Sequence, residues 1–131
     1  MMTLRRRMAL LALLCILCSC APVHANDAED KAAEAIKKLR GSVMRDDKAA
    51  GKPVVLVDLR GTKATDADLK DLKEFKSLRT LDLFNTKVTD AGLKELKEIK
   101  SLRILYINKT EVTSDGVKEL LKALPDLKTD R

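Results

Sequence analysis

The chain has 131 residues, 35% of them charged, and its 26 basic and 20 acidic side chains give a formal net charge of +6. Half of that excess, Arg5, Arg6 and Arg7, sits in the first 25 residues, which carry no acid, so the rest presents a mixed, solvated surface. With one tyrosine, two phenylalanines and no tryptophan, base stacking is poorly supplied, which argues against a nucleic-acid footprint of clustered basic and stacking residues.

Read from the start, the three arginines and the apolar run Met8 to Cys18 form a secretory signal over residues 1–25. The run is too short to span a bilayer. Two processing sites fit. Val23-His24-Ala25 has the small-x-small pattern of ordinary signal peptidase and would leave Asn26 first. Leu17-Cys18-Ser19-Cys20 resembles a bacterial lipobox, in which Cys20 would be lipidated and would tether the protein without spanning the membrane. An uncleaved anchor is the third alternative. The expected location is therefore the periplasm or cell envelope. Cys15, Cys18, Cys20 and His24 all lie in this leader. Cleavage after Ala25 would leave no disulfide, thiol nucleophile, imidazole base or His/Cys metal ligand, so neither a metal nor a cofactor is expected.

About 106 residues remain, enough for one small domain. From Asp27, AEDKAAEAIKKLR reads as a helix, with acids in its first turn, Lys37, Lys38 and Arg40 in its last, and Gly41 as its stop. Ala32, Ala33, Ile36 and Leu39 give it one apolar stripe. Ser42 to Arg45 reads as a short strand, followed by a polar turn. Pro53 then opens an apolar strand, Val54 to Leu59, a position that proline tolerates. Residues 26–53 are thus expected to form a helix–hairpin cap over the open end of the second half of the chain.

That second half is built from a repeat. VDLRGTKATDADLKDLKEFKSLRT (57–80) and LDLFNTKVTDAGLKELKEIKSLRI (81–104) agree at 16 of 24 positions. LYINKTEVTSDGVKELLKALPDLK (105–128) keeps the pattern through Leu120 and then carries one extra residue. Such a period, with this leucine spacing, specifies a leucine-rich-repeat solenoid over 54–128, divided 54–80, 81–104 and 105–128, with 129–131 as a tail. The expected class is α/β: a parallel sheet on the concave face and helices on the convex face, joined by right-handed crossovers. In the second copy, Leu81 and Leu83 should point inward while Thr80, Asp82 and Phe84 point outward. Thr86, like Thr62 and Thr110, should bond backbone at the turn. Thr89 or Asp90 should cap a helix whose Leu93, Leu96 and Ile99 face the core. Asp68 in place of glycine (Gly92, Gly116) and Ala64 in place of valine should loosen the first copy slightly.

With L-x-x-L-D-L-x-x-T-x-V-T-D-A-G-L-K-E-L in view, residues 28–128 resemble the small exported leucine-rich-repeat proteins of planctomycete-type bacteria, a ribonuclease-inhibitor-like solenoid. The AAEAIKKLRG helix, RDDKAAGKPVVLVDLRGT and the closing KALPDLK extend the likeness upstream and downstream. The resemblance implies a scaffold fold and no catalytic residues.

The outward positions stack into three rows: Leu56/Thr80/Ile104, Asp58/Asp82/Tyr106 and Arg60/Phe84/Asn108. Solenoids bind partners on such faces, and Phe, Tyr and Arg are common interface anchors. These nine residues are the candidate contact set for a protein partner of a monomeric, non-catalytic module. Asp58 and Asp82, on strands ~4.8 Å apart, would be close enough to raise one carboxyl pKa. A shallow open sheet is nevertheless a poor acid/base site, and two carboxylates are too few for a hard cation. Lysines on the helical side (Lys70/Lys94/Lys118, Lys73/Lys97, Lys76/Lys100) offer an alternative contact with anionic polymer or lipid, although interleaved acids should neutralise them.

Overall fold

A computed structural model describes residues 27–131. The leader, including the lipidation candidate Cys20, lies outside the described residues. The chain order is α1 (Asp27–Lys38), β1 (Ser42–Arg45), β2 (Val54–Asp58), a 3-10 helix (Asp68–Glu74), β3 (Thr80–Asp82), α2 (Asp90–Leu96), β4 (Ile104–Tyr106), α3 (Ser114–Ala123) and β5 (Lys128–Asp130). The strands form one sheet in sequence order. β1 pairs antiparallel with β2, and every later neighbour is parallel. The repeat sets the register: Val57, Leu81 and Leu105 stand side by side, each 24 residues from the next.

Burial follows the leucine pattern. Leu59, Leu69, Leu72, Leu78, Leu81, Leu83, Leu96, Leu102 and Leu105 are fully buried, and Leu93 and Ile99 nearly so. They join Ile36, Ala32 and Ala33 of α1 in one continuous core. Burying each leucine contributes about 1.5–3 kcal/mol, so the repeated positions dominate the stability of the fold. Glu29, buried on α1, accepts a hydrogen bond from the Val54 amide at 2.7 Å and ties the helix to the first parallel strand.

Several details depart from expectation. Gly41 is not the left-handed residue that ends α1; Arg40 is, at φ 64°. Gly41 closes the turn by donating to the Ile36 carbonyl at 3.0 Å. It is glycine because a Cβ there would lie 2.8 Å from the Asp58 carbonyl and from Leu59. The first copy forms a 3-10 helix rather than an α-helix, for a local reason. In the later copies a threonine caps the helix: Thr89 accepts from the Ala91 amide, and Thr113 from that of Gly116. In the first copy the Thr65 hydroxyl instead donates to Asp68 at 2.9 Å, and no side chain caps the helix start. Residues 129–131 are not a free tail, because Lys128–Asp130 pair in parallel with β4.

The copies are also joined side chain to backbone. Asp66 accepts from both the Thr89 amide (2.8 Å) and hydroxyl (2.7 Å) of the next copy. Asp90 does the same with Thr113. This explains Gly92 and Gly116: a Cβ at 92 would lie 2.5 Å from the Asp66 carboxylate, and one at 116 would sit against Asp90. In the first copy the Asp68 carboxylate turns back to accept from the Thr65 amide and hydroxyl.

Candidate functional site

The outward side of the sheet carries the predicted rows in register. Leu56, Thr80 and Ile104 are partnered across β2, β3 and β4, as are Asp58, Asp82 and Tyr106. Arg60, Phe84 and Asn108 come just after the strands, where the backbone ladder continues. Gly61 donates to the Phe84 carbonyl at 2.8 Å, and Asn85 to that of Asn108 at 2.9 Å. Threonine hydroxyls close each of these turns: Thr62, Thr86 and Thr110 donate to Leu59, Leu83 and Ile107 carbonyls at 2.7–2.8 Å.

Eight of the nine predicted residues line one groove of about 880 Å3 together with Gly61, Asn85 and Asp130. Ile104 shares their face and is 37% exposed, but it does not line the groove. The rows expected from sequence cover three strands, whereas the registers add β1 and β5. Met44, 59% exposed, stands beside Leu56, and Asp130 beside Tyr106. Asp130 was legible from the period alone, being 24 residues after Tyr106. Met44 was not, because β1 is antiparallel and lies outside the repeat.

Arg60 organises one half of the groove. Its backbone amide and guanidinium donate to Asp58 at 2.8–3.1 Å, and its Nε lies 3.4 Å from Asp82. The expected rise in a carboxyl pKa is therefore reversed at Asp58: the hydrogen bonds from Arg60 lower it, outweighing partial burial. The other half is uncommitted. The side chains of Asn85, Tyr106, Asn108 and Asp130 have no hydrogen-bond partner among the described residues. Half-buried Phe84 lies between the halves with the Lys109 ammonium 5.2 Å from its ring centroid, a cation–π distance. The surface can make apolar contacts and offers open hydrogen-bonding groups, which suits association.

On the helical side, Lys97 pairs with Glu119 at 3.1 Å, Lys118 with Asp115 at 3.2 Å and Lys73 with Glu95 at 4.0 Å. The interleaved acids thus take up part of the lysine charge, as the spacing predicts.

Residues 76–97 match a family model described as Leucine Rich repeat. The match runs from the end of the first copy through most of the second. No curated protein matches the chain. Leucine-rich repeats generally mediate protein–protein binding and are typically non-enzymatic.

Proposed function

We propose that this chain is a non-catalytic protein-binding module, a short solenoid with a helix–hairpin cap. Its concave sheet face holds the partner. The groove carries this reading: Phe84 and Tyr106 are anchor-type residues, set among polar side chains that have no partner among the described residues. The parallel register keeps Leu56, Thr80, Asp58, Asp82 and Tyr106 on one face, so binding requires little rearrangement of the backbone.

The leader supports a role at the bacterial cell envelope, with export through residues 1–25 and cleavage after Ala25 or lipidation at Cys20. Growth with a radiolabelled fatty acid separates these two: label on the chain, lost in Cys20→Ala, supports the lipoprotein, and an unlabelled product beginning at Asn26 supports ordinary cleavage. The binding reading is tested by affinity capture with the wild type and with Phe84→Ala/Tyr106→Ala. The double variant should lose the captured protein while keeping the wild-type circular dichroism spectrum. Equal capture by both would remove the sheet face from consideration.

A further inference from the structure

The chain's cations are not neutralised evenly. Just before β3 and again just before β4, the chain carries the motif Lys-Ser-Leu-Arg, at 76–79 and 100–103. The leucines are fully buried, which forces the flanking residues outward at the sheet's end. There they line a cleft of about 450 Å3 made by Lys76, Ser77, Arg79, Ser101 and Arg103. No carboxylate lines it, and none of its three cations belongs to an ion pair among the described residues.

The cleft is also held in place. The Arg103 amide donates to the Arg79 carbonyl at 2.8 Å, so the two arginines stand on adjacent rungs. Arg103 Nη1 is fixed by the Lys100 and Leu102 carbonyls, and Lys76 Nζ by that of Lys73. The Arg79 guanidinium has no such partner among the described residues. Ser101 donates to the Leu78 carbonyl at 2.7 Å, which leaves its oxygen near the rung between the two copies. In the third copy the residue before the buried Leu127 is Asp126 rather than serine, so the carboxylate-free stretch is confined to the first two rungs.

We infer that this cleft is a binding site for an oxyanion of the phosphate class, held between Arg79 and Arg103 with Lys76 beside them. It is separate from the sheet-face groove, with which it shares no lining residue. Guanidinium forks match the geometry of phosphate oxygens and bond them bidentately. Uncompensated like charges in a concavity raise the local concentration of anions. Of the lysines for which a polyanion contact was anticipated from sequence, Lys76 thus joins two arginines in a cleft that no carboxylate lines, whereas Lys73, Lys97 and Lys118 face carboxylates.

The test is calorimetric titration of the full chain with inorganic phosphate and, separately, with tripolyphosphate at low and moderate salt. Arg79→Gln/Arg103→Gln is compared with Lys70→Gln/Lys122→Gln, which removes the same charge from the helical side. Tripolyphosphate should bind the wild type and the lysine variant alike, and the arginine variant at least about tenfold more weakly. Circular dichroism should show all three folded. Comparable binding of inorganic phosphate would identify a single phosphate as the recognised unit, and binding of tripolyphosphate alone a linear polyanion across both rungs. Failure of the wild type to bind either, or equal losses in the two variants, would overturn the site.

Discussion

Asp90 serves two copies of the repeat at once. It opens α2, where a negative charge complements the helix dipole, and its carboxylate accepts from both the amide and the hydroxyl of Thr113. Those bonds, the hydroxyl's first, hold its pKa below the ordinary 3.8. A depressed carboxyl pKa contributes stability above the unfolded value that is lost as pH falls through the folded one. Asp90→Asn should therefore cost about 1 kcal/mol at neutral pH, a modest figure because the site is largely solvated. Urea unfolding should show the gap between variant and wild type closing below pH 3.8. An unchanged gap at low pH would mean that the ionised clasp is not what the substitution removes. The same contact explains a glycine that looked like a consensus residue: Gly116→Ala should cost about 1–3 kcal/mol by crowding Asp90, seen as a lower thermal midpoint.

At the level of elements, the inward alternation was legible because every copy places its leucines alike. Leu81→Ala should lose about 2–5 kcal/mol, whereas Leu56→Ala, on the half-buried outward row, should lose far less; denaturant midpoints measure the contrast. The 3-10 form of the first copy was less legible, because it depends on how one threonine is used. Thr65 bonds Asp68, whereas Thr89 and Thr113 cap their helices. β5 was hidden for a different reason. Lys-Thr-Asp has no strand-like apolar alternation, and only pairing to β4 makes it extended. The turn after each strand also holds a conformation that composition obscures. Gly61, Asn85 and Lys109 all have φ between 55° and 64°, favourable for the first two and strained for a lysine. Lys109→Gly should therefore be close to neutral or slightly stabilising in thermal unfolding, despite losing the contact with Phe84.

Across the whole molecule, the repeat divides the surface into regions with different available chemistry. The sheet face carries aromatics and open polar side chains, the strand starts carry unopposed cations, and the helical side pairs several of its charges. The sequence located the first region nearly residue by residue, since outward strand positions alternate with period two. It misjudged the carboxylates there, because the reach of Arg60 to both Asp58 and Asp82 depends on a side-chain path that spacing does not encode. Whether a protein partner sits on the sheet face is decided by amide hydrogen exchange on the full chain, with and without the captured partner. A partner on that face should slow exchange only in residues 56–61, 80–85 and 104–108 and leave the α2 and α3 amides unchanged. Protection of α2 and α3 with none on those segments would place the partner on the helical side and contradict the sheet-face reading.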